Sequence, residues 1–424
     1  MTSPLRPLHI ALYDNLGSGG SKREAFELTR SLTAHGHEVD LWTTTAADAM
    51  FLPMDRVTRR QFCYTWPEQR HPSRRLPGLR GYVTAAEFAN RLRRIEVVAR
   101  QMAVDIDHAR YDFVFAHHCQ PLQGPYLLRY LRTPSVYYCA EPMRAFYDPP
   151  VDRSYKQPTS DIDRWQRRWY APAQQATESL SKGQDRRNVR TATLLLTNSY
   201  FTAESIYRAY DQRALVSYLG VDTDLFRPLE VPREDFVLSV GAVSPLKGYD
   251  FLIDALGCVP AARRPPLVIV GNTVSGGEHG YLQGLARRRG VSLEVRENVP
   301  DAELVELYNR ARALVYAPVL EPFGFAPLEA MACGTPVVAV AEGGVRESVC
   351  DGVTGLLTQR VPQHFATALI QLLSDDALHA RLGAAAVSLV RSFWTWDAAY
   401  ARFIDLVRTG LNSGRHDGGP AADT

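Results

Sequence analysis

The chain has 424 residues, of which 46% are apolar and 22% charged, with a net charge of +2. These proportions are typical of globular proteins and exclude disordered, collagen-like and coiled-coil chains. No run of about 18 apolar residues occurs, so we expect no membrane-spanning helix. The N-terminus lacks the apolar region and cleavage site of a signal peptide, and the six cysteines lack zinc-type spacing. We therefore expect a cytoplasmic protein with reduced, mostly buried cysteines.

Short apolar runs alternate with helical patterns along the chain. In the first half, strands are predicted at HIALYD, EVDLWTT, FVFAHH, SVYYC and TLLLTNS. Between the first two runs, residues 21–36 have the apolar spacing and final glycine of an amphipathic helix. In the second half, strands followed by helix candidates are predicted at FVLSVGA, PLVIVGN, SLEVREN, ALVYAP and PVVAVAE.

Strands buried on both faces and separated by helices predict parallel sheets with crossover helices. Two such series predict an α/β fold with two doubly wound, Rossmann-like domains. We place the N-terminal domain at 1–218, the C-terminal domain at 219–390, a final helix at 391–410 and a disordered polar tail at 411–424. Because doubly wound sheets bind ligands at the carboxyl ends of their strands, the cleft between two such domains is the expected site.

The segment 145–190 is rich in proline and tryptophan and is predicted to be an insertion between a strand and a helix. Trp165 and Trp169 are four residues apart and would share one helical face. We expect them to be buried in the core of the first domain, and contact with a sugar or a membrane is the alternative.

The positive charge is concentrated in the first half of the chain. Residues 1–200 carry 28 Lys and Arg against 20 Asp and Glu, and residues 201–424 carry 20 against 26. The excess lies mainly in 56–100, with 11 basic and 3 acidic residues. This asymmetry favours an anionic partner such as a membrane surface or a lipid phosphate, whereas the absence of a nucleic-acid motif argues against nucleic acid. An ordinary solvated helix face is the alternative.

The most informative stretch is EPFGFAPLE, from Glu321 to Glu329, which follows the strand ALVYAP and opens a helix. Gly324 lets the backbone approach a ligand closely, and the N–H groups of a helix start can hold an anion or sugar hydroxyls. Two carboxylates flanking this turn suit recognition of a polyol. The alternatives are a favourable helix-dipole interaction for Glu321 and a solvated helix position for Glu329.

This stretch resembles the Glu-x7-Glu signature of retaining GT-B glycosyltransferases of family four, the glycosyl transferases group 1. The other matching motifs, in the order of that family, are Asn198-Ser199, GVDTDLF at 220–226, SVGAVSPLKG at 239–248, GTPVV at 334–338, GGVRE at 343–347 and DGVTGL at 351–356. The resemblance covers 220–360 strongly and the first half loosely. It implies a GT-B fold with an N-terminal acceptor-side domain, a nucleotide-sugar-binding C-terminal domain and a last helix that returns to the first domain.

The resemblance also implies roles for individual residues. Lys247, which would contact the donor diphosphate, and Glu321, near the donor sugar hydroxyls, are the implied catalytic residues. The implied donor-binding residues are Gly19, Gly20, Gly324, Phe325, Ala326 and Glu329, of which Glu329 would bind the ribose. The implied acceptor-side residues are His117, His118 and Glu141. A core or loop position is the alternative for the histidines, and a simple tight turn is the alternative for the glycines.

Two positions depart from the family pattern. Ala242 stands where the family usually has an arginine, so the missing cation would come from elsewhere, such as Lys22 or Arg23. Ala140 stands where many members have a histidine that contacts the donor sugar. Glu141 or Arg144 would take over part of that role.

The motif Asp222-Thr-Asp224 spells the D-x-D of metal-dependent glycosyltransferases with a different fold. Because it lies inside the interdomain element, we expect turn or capping roles for it and no essential metal. No cofactor is predicted beyond the nucleotide sugar, which is a co-substrate.

The predicted function is retaining hexosyl transfer from a UDP- or GDP-sugar to the hydroxyl of a glycan, a lipid-linked or a small-molecule acceptor, in the cytoplasm or at the inner face of the membrane. Two alternatives stay open. One is a non-catalytic GT-B binding or partner subunit, for which Ala140 and Ala242 argue. The other is a sugar-nucleotide epimerase or phosphorylase on the same fold.

Overall fold

The computed structural model describes residues 6–68, 80–158 and 160–413. Part of the basic segment, 69–79, and the predicted tail from 414 lie outside the described residues. The chain divides into two compact units. The first unit contains residues up to 149, residues 158–218 and residues from 399 onward; the second contains residues 150–157 and 219–398.

The first unit is built on a seven-stranded parallel sheet with the strand order β3-β2-β1-β4-β5-β6-β7. Its strands are β1 (His9–Asn15), β2 (Glu38–Thr44), β3 (Gln61–Tyr64), β4 (Phe113–Cys119), β5 (Ser135–Tyr138), β6 (Leu194–Thr197) and β7 (Leu215–Val216). All five predicted strands are present. The two edge strands β3 and β7 were not predicted, because each is short and neither is fully buried.

Helices connect these strands. They are α1 (Gly20–Ala34), α2 (Arg80–Ala109), α3 (Arg144–Tyr147), α4 (Asp161–Val189) and α5 (Tyr200–Tyr210). Helix α4 forms most of the crossover between β5 and β6 and begins with a capping box of Ser160 and Asp163. The predicted insertion at 145–190 is therefore mainly one long helix.

The second unit is built on a six-stranded parallel sheet with the order β10-β9-β8-β11-β12-β13. Its strands are β8 (Glu234–Val240), β9 (Leu267–Gly271), β10 (Leu293–Glu297), β11 (Ala311–Tyr316), β12 (Val337–Val340) and β13 (Gly355–Thr358). Only the edge strand β13, half-buried after its first residue, was not predicted.

The helices of the second half are α6 (Tyr249–Gly257), α7 (Gly276–Arg289), α8 (Asp301–Arg310), α9 (Phe325–Ala332), α10 (Val345–Ser348), α11 (Pro362–Ser374), α12 (Asp376–Phe393) and α13 (Trp396–Ser413). From Ala399 onward, α13 belongs to the first unit. There, the ring of Phe403 packs 4.8 Å from that of Phe115, and His37 Nε2 lies 2.9 Å from Tyr400 Oη. The segment predicted as one helix, 391–410, contains the end of α12, a break and most of α13, which continues into the predicted tail as far as Ser413.

In both sheets the strand order reverses beside the first strand of the unit. β1 lies between β2 and β4, and β8 lies between β9 and β11. Loops after two adjacent strands diverge at such a switch point and leave room for a ligand at the carboxyl edge. Candidate ligand positions are therefore the ends of β1 and β4 in one unit and of β8 and β11 in the other.

Two expectations about burial are wrong. Trp165 and Trp169 are not in the core: their residues are 61% and 46% exposed, and their rings stack on each other at 5.6 Å. Only half of the cysteines are buried, namely Cys119, Cys139 and Cys333. Spacing shows which residues share a helix face but does not show what covers that face.

Across the described residues, no helix combines the length and apolar character needed to cross a bilayer.

Candidate functional site

The switch point of the second unit brings Lys247 and Glu321 together. Lys247 lies in the short turn Pro245–Lys247 after β8, and Glu321 lies in the loop after β11. Lys247 Nζ donates to both carboxylate oxygens of Glu321, each at 2.9 Å. Both side chains are half-buried, so a ligand can reach them. The sequence-predicted lysine and carboxylate thus form one ion pair at the carboxyl edge of adjacent strands.

Glycines allow the loops around this ion pair to approach one another. Gly248 has a φ of 65°, and a Cβ there would overlap the carbonyl oxygen of Ala317 at the end of β11. Leu246 directly precedes Lys247, and its carbonyl accepts a hydrogen bond from the amide of Val319 at 2.8 Å. The loop that carries Lys247 is therefore tied to the loop that leads to Glu321.

Helix α9 begins next to Glu321. Gly324 precedes it with a φ of 88°, and a Cβ at this position would lie 2.5 Å from Tyr316 Oη. Phe325 and Ala326 form its first turn, where Ala326 is buried and Phe325 half-buried. Because the first N–H groups of a helix have no partner within the helix, this start can bind an anion or a hydroxyl group.

Glu329 lies one turn further along α9 and is only 3% exposed. Its Oε2 accepts a hydrogen bond from Tyr308 Oη of α8 at 2.6 Å, and both side chains are buried. The alternative of a solvated helix residue is therefore wrong. A buried carboxylate that is held by a tyrosine has a fixed orientation, as a ligand group requires.

Gly343 and Gly344 position the backbone of Glu321. The amide of Gly344 donates to the carbonyl of Glu321 at 2.8 Å, and a Cβ at either glycine would overlap the backbone of Glu321 or Pro322. Beside them, Arg360 bonds to Glu342 and donates to the carbonyl of Ala317 at 3.0 Å. Sequence reasoning gave the glycines no role and missed Arg360, whose partners lie far away in the sequence.

In the first unit, Gly19 lies between β1 and α1, and Gly20 is the first residue of α1. Gly19 has a φ of 144°, which favours glycine, and a Cβ there would meet no atom within 4 Å. The turn is half-buried to exposed. Its backbone therefore faces open space at the switch point of this sheet, where a ligand can approach it.

Lys22 is not available as a substitute cation for the position of Ala242. Its ammonium is buried and pairs with the buried carboxylate of Asp14. Burial raises the pKa of Asp14, and the charge of Lys22 opposes that shift. The expectation that Lys22 supplies the missing charge is therefore wrong.

His117 and His118 lie at the end of β4. His117 is buried, and its Nδ1 lies 3.3 Å from Oε1 of the buried Glu24. Burial lowers the pKa of His117 to about 3 and raises the pKa of Glu24 well above its ordinary value. Around neutral pH the His117 imidazole is therefore uncharged. The half-buried His118 also has its pKa lowered by burial, to about 4.

Glu141 lies just after β5 and is half-buried. Its carboxylate is 3.9 Å from Arg144 Nε, and its carbonyl accepts a hydrogen bond from Gln123 Nε2 at 3.0 Å. The preceding residue, Ala140, is buried, and its carbonyl accepts a hydrogen bond from Asn198 Nδ2 at 3.1 Å. Glu141 and the two histidines thus lie at the carboxyl edge of β4 and β5.

Asp222 has the turn role that its position predicted. Its Oδ1 accepts hydrogen bonds from the amides of Asp224 and Leu225 at 3.1 and 3.0 Å. In the described residues, no group of three or more His, Cys, Asp and Glu side chains is placed to hold a metal ion.

Comparison with known proteins matches residues 221–388 to the family described as glycosyl transferases group 1. This part of the chain is therefore similar to the group 1 glycosyl transferases. The family resemblance predicted from the motifs is thereby confirmed. Lys247, Glu321, Gly324 and Glu329 all lie within the matched range.

Relatives of this chain include proteins named D-inositol 3-phosphate glycosyltransferase. The protein from Frankia alni is 37% identical over 239 residues, which are 51% of this chain and 56% of that protein. The protein from Streptomyces avermitilis is 32% identical over 254 residues, 54% of each chain. The chain thus spans about half the length of these curated relatives.

Solved structures share the fold over nearly the whole chain. Sucrose-phosphate synthase from Thermosynechococcus elongatus is 19% identical with a TM-score of 0.70, over 96% of this chain and 100% of that one. HepE from Anabaena, solved with UDP and glucose, is 19% identical with a TM-score of 0.64, over 95% of this chain and 100% of that one. The predicted two-domain, Rossmann-like GT-B fold is confirmed.

Proposed function

We propose that the chain is a retaining glycosyltransferase that moves a hexose from a UDP- or GDP-sugar to an acceptor hydroxyl. The observation that carries this proposal is the Lys247–Glu321 ion pair at the switch point of a group 1 glycosyl transferase sequence. HepE, a structural neighbour, was solved with UDP and glucose, and relatives are named D-inositol 3-phosphate glycosyltransferase. We extend to this chain only the nucleotide-sugar class of donor.

The leaving diphosphate gains negative charge as the bond to the sugar breaks. An ammonium and the N–H groups of a helix start stabilise such charge when they are already in place. Lys247 would exchange Glu321 for the diphosphate, and the released Glu321 carboxylate would accept hydrogen bonds from sugar hydroxyls. A ribose would share the Glu329 carboxylate with Tyr308. With no side chain assigned as nucleophile, we propose a front-face displacement through an oxocarbenium-like transition state.

A thermal-shift panel of UDP, GDP, ADP and dTDP with their sugar conjugates tests the donor class. A ligand at about 100 times its dissociation constant stabilises the folded state by roughly 2.7 kcal/mol. We expect UDP or GDP compounds to raise the melting temperature. If no nucleotide does so, a non-catalytic binding subunit becomes the better interpretation.

Product analysis by NMR tests the reaction itself. With donor and acceptor present, we expect a product whose anomeric configuration matches that of the donor. An inverted product contradicts retention. An epimerised nucleotide sugar, or phosphate-dependent breakdown without an acceptor, indicates an epimerase or a phosphorylase.

We also propose that the transfer needs no metal or other cofactor. Activity in excess EDTA should equal activity without chelator. Loss of activity that Mn²⁺ restores contradicts this proposal.

For the acceptor, the exposed start of α4 favours a lipid-linked molecule at an anionic, cytoplasmic membrane face. Ile162, Trp165 and Trp169 lie on one side of the helix and are 68%, 61% and 46% exposed, with Arg167 and Arg168 exposed beside them. Tryptophan next to basic residues is typical of helices that lie in a membrane interface. By contrast, Arg59 and Arg60 of the basic segment 56–100 are paired with Asp40.

Sedimentation with vesicles of phosphatidylglycerol or of phosphatidylcholine tests this surface. We expect binding only to the anionic vesicles, weakened by high salt and lost in the variant Trp165→Ser/Trp169→Ser. Tyr207→Ser, which removes an exposed aromatic residue on α5, is the control and should bind as the wild type does. Equal binding of all three proteins, or no binding at all, contradicts the membrane proposal.

A further inference from the structure

An eight-residue segment from the first half of the sequence belongs to the second unit. Residues 150–157 lie between two stretches of the first unit, yet they pack with residues 219–398. We call residues 150–157 the strap. Its central residue, Arg153, is almost fully buried, although no ligand or catalytic role has been assigned to it.

Arg153 contacts three elements at the carboxyl edge of β8 and β9. Its guanidinium donates to both carboxylate oxygens of Glu278, at 3.0 to 3.1 Å, in the first turn of α7. Its Nη1 lies 3.1 Å from Oδ2 of Asp250, in the first turn of α6. Its Nη2 also donates to the carbonyl of Pro245 at 3.3 Å. Pro245 opens the turn that ends at Lys247.

The surroundings make this arrangement stable. Glu278 is fully buried, so its charge requires a partner. Tyr155 of the strap donates a further hydrogen bond to Glu278 at 2.6 Å. Its ring packs over Gly277, where a Cβ would lie 3.1 Å from the ring atoms. The ring of Tyr281 lies 5.2 Å from the Arg153 guanidinium on another side. Arg153 is therefore held in one orientation by charge, hydrogen bonds and packing.

We infer that Arg153 is a positioning residue for the turn Pro245–Lys247, which carries the Lys247 ammonium. It fixes the Pro245 carbonyl relative to the starts of α6 and α7, and so sets where the Lys247 ammonium lies. A guanidinium suits this task because its donors are arranged in a rigid planar fork. A lysine ammonium at this position would keep the charge opposite Glu278 but would lose that fork. The inference rests on the proposed function in that Lys247 is taken to meet a donor diphosphate.

Two variants and a control test the inference in the full chain. Arg153→Gln removes the charge and the fork, and Arg153→Lys removes the fork alone. Arg289→Gln is the control, because Arg289 forms an exposed ion pair with Asp254 in the same unit. Melting temperatures establish that each variant is folded. If Arg153→Gln does not fold, Arg153→Lys, which retains the charge opposite Glu278, is sufficient for the test.

The first readout is hydrogen exchange and does not depend on a ligand. The amides of Lys247 and Gly248 donate to the carbonyls of Ser244 and Pro245. We expect both to exchange at least about tenfold faster in the Arg153 variants, which corresponds to about 1.4 kcal/mol of lost local protection. The amides of β9 should be unchanged, and Arg289→Gln should match the wild type throughout. Unchanged exchange at Lys247 and Gly248 in a folded Arg153 variant overturns the inference.

The second readout is the dissociation constant for UDP and for GDP by calorimetry. We expect the nucleotide that the wild type binds to bind about fivefold or more weakly to both Arg153 variants and normally to Arg289→Gln. Equal affinity in wild type and variants overturns the link between Arg153 and the donor site. If the wild type binds neither nucleotide, the proposed function fails, and the exchange measurement still decides whether Arg153 positions the turn.

Discussion

At the scale of single residues, Lys247 has Glu321 as its charged partner among the described residues and would need another during transfer. Its ammonium donates to both oxygens of Glu321. A diphosphate carries more charge than one carboxylate and would displace it. The ion pair therefore keeps the Lys247 ammonium in place when no ligand is bound. Ligand binding then requires that the ammonium exchange Glu321 for the diphosphate.

Lys247→Ala should weaken binding of the preferred nucleoside diphosphate at least tenfold, or by about 1.4 kcal/mol. The variant lacks the charge opposite the phosphates, whereas its fold depends little on a half-buried pair. Calorimetric titration measures the effect. Arg310→Ala removes an exposed ion pair with Glu234 in the same unit and is the control. Wild-type affinity in Lys247→Ala would refute the assignment of this lysine.

His117 should make the protein sensitive to mild acid. Burial lowers its folded-state pKa to about 3, while the unfolded chain titrates near its ordinary pKa of about 6.5. Below about pH 6.5, protons bind the unfolded state preferentially, so stability falls with pH by up to about 1.4 kcal/mol per unit. The loss continues until the folded state also binds the proton, near pH 3.

His117→Asn should therefore lose less unfolding free energy than the wild type between about pH 7 and about pH 5. Urea unfolding followed by circular dichroism at both pH values measures this difference. Glu24, whose raised pKa contributes a pH dependence of the opposite sign, is present in both proteins. The exposed His364 provides the control variant, His364→Asn. Parallel pH dependences for His117→Asn and the wild type contradict the prediction.

At the scale of elements, the start of α9 requires glycine at position 324. Gly324→Ala would place a Cβ 2.5 Å from Tyr316 Oη in a backbone with a φ of 88°. We expect a loss of stability of about 1–3 kcal/mol and weaker binding of the nucleoside diphosphate, because the helix start must shift. Urea unfolding and calorimetry measure the two effects.

Gly280→Ala is the matched control for this element. Gly280 lies inside α7, where a Cβ would meet no atom within 4 Å. Alanine is favoured over glycine in a helix interior by about 0.5–1 kcal/mol, so this variant should be as stable as the wild type or more stable. If both variants behave alike, the close approach at Gly324 has no consequence for binding.

The ten main strands could be predicted from sequence because most of them are short apolar runs between helical patterns. Edge strands such as Leu215–Val216 could not, since two residues carry no periodic signal. The motif residues Asn198 and Ser199 were noticed by resemblance alone. The structure shows a local role for each residue. Ser199 caps α5 by accepting a hydrogen bond from the Thr202 amide at 3.0 Å, and Asn198 donates to the carbonyl of Ala140.

The candidate site was less accessible to sequence reasoning. Lys247 and Glu321 are 74 residues apart, and their contact follows from the adjacency of β8 and β11, which periodicity does not show. Arg153 lies in a segment without a motif, and its partner Glu278 is 125 residues away. The wrong placement of Trp165 and Trp169 has the same origin, because tertiary packing decides which helix faces are covered.

At the scale of the whole molecule, the strap makes the second unit discontinuous in sequence. A recombinant fragment of residues 219–398 lacks Arg153 and leaves Glu278, which is buried in the full chain, without that partner. Removing one partner of a buried pair costs about 3–5 kcal/mol. We therefore expect this fragment to melt at a lower temperature than the same fragment mixed with a peptide of residues 150–157.

Glu278→Gln should change the melting temperature in opposite directions in the full chain and in the fragment of residues 219–398. In the full chain it weakens the pair with Arg153 and lowers the melting temperature. In the fragment of residues 219–398 it removes a charge that lacks its partner Arg153, and it raises the melting temperature. Scanning calorimetry of the four proteins measures the reversal, and a change of the same sign in both settings contradicts the assigned role of the strap.

The interleaving of the two units also constrains the order in which the protein can fold during translation. Ribosomes add about 5–20 residues per second. Glu278 follows Arg153 by 125 residues, so it is synthesised several seconds after Arg153. Completion of the first unit is delayed further, because Phe115 packs against Phe403, which is synthesised much later. The first unit to leave the ribosome is thus the last to be completed, and its nascent form exposes the surface that α13 later covers.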